Sequence, residues 1–155
     1  MLKNKKHAKS SWVAGSTRSV KPWGEEVSWA ALPSINGKML YIKAGHRTSY
    51  KYHKSKNEVL FILKGQAKIQ YGSEHTLEDP VGFPLKHELV ESGQCLNVQS
   101  CCPYRIEAIT DCEIVEISDG RSSDGDTYRI EDDYGRENNS TPKSGILEKP
   151  NNDER

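Results

Sequence analysis

The sequence lacks any long apolar segment. Its longest uninterrupted apolar run is the five residues from Val59 to Leu63. A membrane-spanning helix needs about 20 apolar residues, and the core of a secretory signal needs about 7–15. We therefore expect no membrane partner, and the sequence predicts a soluble protein of the cytoplasm.

The sequence also has no excess of charge of either sign. The chain of 155 residues carries 22 basic and 22 acidic side chains, and its formal net charge is +0. Proteins that bind nucleic acid or anionic membranes through bulk charge have a strong excess of basic residues. We therefore do not expect a nucleic-acid partner.

Cysteine is scarce, and its spacing lacks the Cys-x-x-Cys pairs of structural zinc sites. The four cysteines stand at positions 95, 101, 102 and 112. A chain of this length can build a core without disulfide bonds. We expect no zinc cluster, and thiols that are reduced and mostly buried.

Apolar residues are few at both ends of the chain. Residues 1–19 and 137–155 hold 8 apolar residues among 38, while residues 20–136 hold 45 among 117. Segments so poor in apolar side chains do not offset the entropy lost on ordering. We therefore predict a disordered basic arm over 1–19, one folded domain over 20–136 and a disordered tail over 137–155.

Short segments rich in β-branched and aromatic residues fill the middle of the chain, and turn-forming residues separate them. The predicted strands are Glu26–Leu32, Met39–Lys43, Thr48–His53, Glu58–Leu63, Gln66–Tyr71, Phe83–Val90, Cys95–Val98, Tyr104–Ile109, Cys112–Ile117 and Thr127–Glu131. The predicted turns are Asn36-Gly37, Lys64-Gly65, Tyr71-Gly72-Ser73, Ser92-Gly93 and Thr110-Asp111. Many short strands without intervening helices are typical of an antiparallel sandwich or barrel. The predicted fold class is all-β.

One stretch carries a spacing that resembles a known family. Gly45 is followed by Lys51-Tyr52-His53, then by Glu58 and Gly65. This spacing resembles the first motif of the cupins, in which two ligands one residue apart on a strand point into a barrel. The second cupin motif has a Gly, a Pro-x-Gly and a His. At those intervals this chain has Gly93, Gln99, Cys101 and Tyr104.

Three further segments resemble one branch of that family, the type II mannose-6-phosphate isomerase cupins. They are residues 20–24, residues 48–58 and the run from Tyr128 to Arg136. The likeness covers about residues 20–136 and implies a single antiparallel cupin barrel of the jelly-roll type. Members of this branch resemble the isomerase domain attached to mannose-1-phosphate guanylyltransferases. The resemblance implies a role in carbohydrate metabolism, a sugar or sugar phosphate as ligand, and a homodimer.

The resemblance also implies a divalent metal, bound by Gln or His, then His, Glu and a second His. At these positions the chain has Lys51, His53, Glu58 and Tyr104. A charged ammonium has no lone pair, and a phenol coordinates only as phenolate, against an ordinary pKa of about 10. We therefore predict a degenerate metal site without a cofactor. If a metal binds, it is one divalent ion (zinc, manganese, iron or nickel) on His53 and Glu58.

Three functions are compatible with these residues. The first is binding of a sugar or sugar phosphate, with isomerase activity compromised by the lost ligands. The second is metal-independent isomerisation or epimerisation of a keto-sugar nucleotide, with His53 as base, Tyr104 as acid and Lys51 beside them. The third is a sugar sensor that keeps the pocket without turnover.

The interior lysine has two interpretations. Strand alternation points Lys51 into the barrel, where it would pair with Glu58 and take the place of a metal cation. Alternatively, its side chain extends to the mouth of the barrel and stays in solvent. Two other cations, Lys56 and Arg105, are predicted to bind a substrate phosphate.

Overall fold

The computed structural model describes residues 9–119, 125–136 and 138. Nearly all regular structure among these residues is strand, which confirms the predicted all-β antiparallel class. The strands are β1 Thr17–Lys21, β2 Gly24–Leu32, β3 Ile35–Ile42, β4 Tyr50–His53, β5 Glu58–Lys64, β6 Gln66–Tyr71, β7 Lys86–Glu91, β8 Cys95–Val98, β9 Tyr104–Ala108, β10 Cys112–Asp119 and β11 Thr127–Glu131. A short 3-10 helix spans Glu74–Leu77, and no helix in the described ranges has the length and apolarity to cross a membrane.

The strands form two antiparallel sheets around a common interior. The first sheet has the order β1-β2-β3-β10-β5-β8, and the second has the order β11-β4-β9-β6-β7. From β3 onward the chain passes repeatedly from one sheet to the other. Residues far apart in sequence are therefore brought to the same interior.

The core follows from strand alternation, because successive side chains of a strand point to opposite faces. In β5, Glu58, Leu60 and Ile62 are buried and the residues between them are exposed. Strand β10 repeats the pattern with Ile114 and Glu116. Burial of a large aliphatic side chain stabilises a fold by about 1.5–3 kcal/mol. The other aliphatic core residues include Leu40, Ile42, Ala67, Ile69, Ile106 and Ala108.

One end of the interior is apolar and the other is ionic. Ile62 and Ile114 are register partners across β5 and β10. Further along the same two strands, the inward positions are Glu58 and Glu116, and Glu116 is also the register partner of Lys38 on β3. Charged side chains therefore gather at one end of the barrel.

The predicted turn at Asn36-Gly37 is wrong. Both residues lie inside β3, and the turn is formed by Pro33 and Ser34. A Cβ at Gly37 would lie 2.5 Å from the indole ring of Trp29. Glycine is required there for packing against a tryptophan within the sheet.

The folded part begins before the predicted boundary at residue 20. Strand β1 pairs with β2 over its whole length, from Thr17 opposite Ser28 to Lys21 opposite Gly24. Main-chain hydrogen bonds to a neighbouring strand order these residues although their side chains are polar. Of the predicted disordered ends, residues 1–8, 137 and 139–155 lie outside the described residues.

Ion pairs fasten the segment after β11, the C-terminal latch (residues 132–136), to the barrel. Asp133 accepts hydrogen bonds from Nε and Nη2 of Arg47 at 2.5 and 2.9 Å. It also accepts one from Nη2 of Arg105 at 2.9 Å. Tyr134 donates its hydroxyl hydrogen to the carbonyl oxygen of Arg47 at 3.0 Å. The latch therefore holds β11 in place at the edge of the second sheet.

An ion pair between two of its own residues also stabilises the latch. Nη2 of Arg136 lies 2.7 Å from Oδ1 of Asp132. Gly135 has a φ of +69°, in the left-handed region that glycine adopts without steric cost. The end of the run from Tyr128 to Arg136, which resembles the isomerase cupins, thus has a structural role in this chain.

Asp133→Ala is expected to destabilise the fold by about 2 kcal/mol, because it removes a partner from a buried guanidinium. The side chain of Arg105 is only 4% exposed. Arg18→Ala is the control, since its pair with Glu25 is exposed and is worth less than about 1 kcal/mol. Urea unfolding measures the free energy of unfolding of both variants. Equal losses of stability in the two variants would contradict the role of the latch.

Candidate functional site

Three strands deliver the side chains of the site. Strand β4 carries Lys51 and His53, which share its inner face because they are two residues apart. Strand β5 begins with Glu58, and β9 begins with Tyr104. Lys51 and Tyr104 are register partners across β4 and β9. The structure therefore brings together the four residues that stand at the ligand positions of the cupin motifs.

The carboxylate of Glu58 is the centre of this cluster. Its Oε1 accepts a hydrogen bond of 2.5 Å from the hydroxyl of Tyr104 and lies 3.1 Å from Nε2 of His53. Its Oε2 lies 3.1 Å from Nζ of Lys56. Glu58 is only 3% exposed, and an unpaired charge at such a position costs several kcal/mol. The three contacts compensate that cost.

Lys56 links this carboxylate to a second one. Its Nζ lies 3.3 Å from Oε1 of Glu116. Burial alone would lower the pKa of Lys56, but Glu116 and Glu58 outweigh burial and raise it. Burial, with the nearby charge of Glu58, raises the pKa of Glu116. The three residues form a buried row of alternating charge, which we call the ionic row.

The remaining protonation states follow from the same surroundings. Burial opposes ionisation of Glu58, but His53 and the two neighbouring lysines hold the pKa of Glu58 well below its usual range. Burial lowers the pKa of His53, which favours the neutral imidazole. Burial and then Glu58 raise the pKa of Tyr104 well above its ordinary value, so its hydroxyl stays protonated.

His53 is held from its second nitrogen and from its backbone. Its Nδ1 lies 3.0 Å from Oγ1 of Thr127 and 4.0 Å from Oδ2 of Asp126. Asp126 also accepts the main-chain N–H of Lys56 at 3.2 Å. The main-chain N–H of Cys101 donates to the carbonyl oxygen of His53 at 2.7 Å. The first residues of β11 and the turn before β9 therefore position the imidazole.

Lys51 is the part of the cluster that solvent reaches. It is partly exposed, whereas His53, Glu58 and Tyr104 are buried. Its Nζ lies 5.7 Å from the centroid of the Tyr104 ring. Of the two interpretations of Lys51, the ion pair with Glu58 is not formed, and Lys56 makes that pair instead. Lys56 comes from the turn before β5 and reaches the carboxylate from another side.

The two cations predicted to bind phosphate already have protein partners. Lys56 contacts the two carboxylates of the ionic row. Arg105 follows Tyr104 in β9 and so points to the opposite face of the sheet. There it binds Asp133 and donates to the carbonyl oxygen of Thr48 at 2.8 Å. Lys56 belongs to the cluster, while Arg105 belongs to the latch.

The side chains of the cluster do not fit a divalent metal ion. Of the four residues at the ligand positions, His53 and Glu58 are ordinary ligands. Tyr104 is protonated and donates to Glu58, and the ammonium of Lys51 has no lone pair. Within the described ranges, no group of three or more His, Cys, Asp or Glu side chains is arranged to hold a metal. A catalytic zinc site normally has three protein ligands.

Sequence reasoning did not identify three residues of this site. Glu116 is an inward position of β10 between Ile114 and Ser118, so an acidic residue at a core position of an alternating strand was a signal for it. Asp126 and Thr127 precede and begin β11. Nothing in their local sequence indicates that they face His53, because only the pairing of β11 with β4 brings them there.

The burial of the cysteines departs from the prediction. All four thiols are free, and Cys112 is the buried one, whereas the others are exposed or partly exposed. Cys101 has a φ of +65°, and it stands where the second cupin motif has a glycine. This left-handed conformation costs an L-residue roughly 1–2 kcal/mol. The hydrogen bond from Cys101 to His53 persists despite that cost.

Comparisons with known proteins establish the fold by structure alone. No protein-family model and no curated protein sequence matches this chain. Oxalate decarboxylase from Bacillus subtilis matches with a TM-score of 0.66 and 16% identity, over 80% of this chain and 33% of that chain. The capsular polysaccharide assembling protein CapF from Staphylococcus aureus matches with a TM-score of 0.60 and 20% identity, over 76% of this chain and 33% of CapF. KdgF from Halomonas sp. matches with a TM-score of 0.56 and 11% identity, over 70% of this chain and 90% of KdgF.

These neighbours are cupins, so the chain has the cupin fold that the motif spacing implied. The chain spans about a third of the length of oxalate decarboxylase and of CapF. At identities of 11 to 20% the likeness shows the fold and not the substrate. The likeness to mannose-6-phosphate isomerases stays a prediction.

Glu58→Gln is expected to remove an acid-sensitive part of the stability. The pKa of Glu58 is lower in the folded chain than in the unfolded chain. Its contribution is therefore complete above the unfolded pKa of about 4.3 and is lost as the pH falls from there toward the folded pKa. The free energy of unfolding, measured in urea from about pH 7 to pH 3, should fall more steeply below pH 4.3 in the wild type than in the variant.

The control for that experiment is Glu25→Gln. Glu25 pairs with Arg18 at the surface, so this variant should keep the steep acid slope of the wild type. An unchanged slope in Glu58→Gln would contradict the assignment of the charge to Glu58.

Cys101→Gly is expected to stabilise the protein by about 0.5–1 kcal/mol. Glycine removes the steric cost of a left-handed cysteine in the folded state. Part of this gain is offset because glycine gives the unfolded chain more conformational entropy. Cys101→Ala keeps the Cβ and should give no such gain. Thermal unfolding of both variants measures the difference in stability. A glycine variant less stable than the wild type would contradict the backbone strain assigned to Cys101.

Proposed function

We propose that this protein binds a sugar or sugar phosphate at the ionic end of its barrel without a metal ion. The observation that carries the proposal is the environment of Glu58. Tyr104, His53 and Lys56 together surround this carboxylate with donors from the chain itself. In a metal-dependent cupin the corresponding carboxylate would need a bound cation.

The ligand's anionic group is expected to meet Lys51. Lys51 is partly exposed, while Lys56 is engaged by the two carboxylates of the ionic row. A phosphate or carboxylate at the mouth of the barrel would therefore be attracted to Lys51.

Hydroxyl groups of a sugar would supply hydrogen-bond partners for buried polar atoms of the site. Two buried atoms, Nε2 of His53 and Oε2 of Glu58, have no well-aligned hydrogen bond. Buried polar atoms of this kind usually gain a partner from water or a ligand. A sugar hydroxyl donates and accepts at once, so it suits a site in which an imidazole and a carboxylate lie side by side.

Two lines of similarity favour a sugar among small anions. The motif likeness to type II mannose-6-phosphate isomerase cupins suggests mannose 6-phosphate as the first ligand to test. CapF, a structural neighbour, is a capsular polysaccharide assembling protein. Since the chain covers about a third of CapF, this similarity supports the class of ligand and not a shared activity.

The second candidate is a metal-independent isomerase or epimerase that uses His53 and Tyr104. The opposite pKa shifts of the two groups favour it, because a neutral imidazole can take a proton and a protonated phenol can give one. Both groups contact the same oxygen, Oε1 of Glu58. His53 would remove the hydrogen next to a sugar carbonyl while Tyr104 protonates the carbonyl oxygen, giving an enediol, and reprotonation would yield the isomer.

Binding can be tested by thermal shift with mannose 6-phosphate, fructose 6-phosphate and GDP-mannose. A ligand at 100 times its Kd stabilises the folded state by about 2.7 kcal/mol. We expect the same shift with and without EDTA, a smaller shift in Lys51→Met, and the full shift in Lys54→Met, since Lys54 is an exposed lysine near the same site. A shift that EDTA abolishes, or no shift with any of the sugars, would overturn the proposal.

Turnover can be tested by proton exchange into the bound sugar in heavy water. The isomerase candidate predicts deuterium at the carbon next to the carbonyl, with loss of exchange in His53→Ala and in Tyr104→Phe. Circular dichroism of the variants checks that they fold. Binding without exchange would assign the protein to the sensing role.

A further inference from the structure

The lysines of the ionic end differ in whether a carboxylate neutralises them. Glu26 lies 2.7 Å from Nζ of Lys38 and 3.8 Å from Nζ of Lys21. Lys56 has both carboxylates of the ionic row. Within the described part of the chain, the contact found for Lys51 is the face of the Tyr104 ring, and no carboxylate lies within ion-pair distance. Lys51 is thus the amine of this cluster that carries no salt bridge.

Its position makes the same amine the first group that a ligand meets. The groups behind it are buried, since His53, Glu58 and Tyr104 are 4, 3 and 2% exposed. Lys51 is partly exposed and stands in register with Tyr104. An amine that has no salt bridge and lies beside an imidazole and a phenol has the surroundings of a nucleophile.

We propose that Lys51 forms an imine with the carbonyl carbon of an open-chain aldose or ketose ligand. This proposal rests on the proposed binding of a sugar at the same site, and it concerns a ligand whose carbonyl end, rather than its phosphate, faces Lys51. The amine nitrogen attacks the carbonyl carbon, and the carbonyl electrons move to oxygen to give a carbinolamine. The C–O bond then breaks and water leaves, with both of its hydrogens coming from the amine. No oxidant or reductant is needed.

The test is trapping with sodium borohydride in the presence of mannose 6-phosphate. Hydride reduces an imine to a stable secondary amine, so the intact mass rises by one reduced sugar phosphate. Peptide mapping should place the adduct on Lys51 in roughly tenfold excess over Lys54, an exposed lysine that reports non-specific glycation. Lys51→Arg keeps the positive charge but should lose the adduct, and Lys51→Met serves as a second variant if the arginine does not fold.

A parallel thermal shift separates this proposal from the proposed function. Mannitol 1-phosphate is the alcohol made by reducing mannose 6-phosphate, and it has no carbonyl. If both compounds stabilise the protein and no adduct forms on Lys51, the imine is overturned while sugar binding stands. If neither compound stabilises it and no adduct forms, both proposals fail. Equal labelling of Lys51 and Lys54 would overturn the imine, and selective labelling of Lys51 with loss in Lys51→Arg would support it.

Discussion

The burial of the Glu58 charge is the constraint on which this structure depends. An ionised carboxylate inside a two-sheet barrel is tolerated only if cations and hydrogen-bond donors surround it. Here the donors are a phenol, an imidazole and an ammonium, all supplied by the chain. Each is fixed by a different strand or turn, so the fold and the chemistry of the site are inseparable.

The two faces of β9 have different roles, since one contributes to the site and the other binds the latch. Tyr104 points inward to Glu58, and its neighbour Arg105 points outward to Asp133 in the latch. The latch holds the end of β11, and the first residue of β11, Thr127, contacts Nδ1 of His53. The arginines and aspartates around the latch therefore stabilise the position of a buried imidazole that they do not contact.

How far sequence predicts this protein depends on whether the feature is local. Strands β6, β8 and β11 have the predicted bounds, and the spacing of Lys51, His53, Glu58 and Tyr104 brought the right residues together. The errors are of a different kind. The Asn36-Gly37 pair predicts a turn, whereas the indole that requires the glycine comes from the neighbouring strand β2. Of the two interpretations of Lys51, the one that pairs it with Glu58 is wrong, because strand alternation shows which side chains point inward but not which of two lysines contacts the carboxylate.

The same limit explains Glu116 and the ionic row. Its partner Lys56 is far away in sequence, and the register of β5 against β10 is what brings the second carboxylate near. The alternation of residues within one strand does not show how that strand pairs with another. The likeness to solved cupins, with identities of 11 to 20% for the three compared above, confirmed the architecture but could not reveal that the cation beside Glu58 is a lysine.

The central claim is that side chains of this protein take over the role that a metal ion has in other cupin barrels. Elemental analysis of the purified protein, alongside His53→Ala purified in the same way, tests this claim most directly. The account predicts that the wild type holds no more transition metal than the variant. One equivalent of zinc, iron, nickel or manganese that disappears in His53→Ala would contradict it.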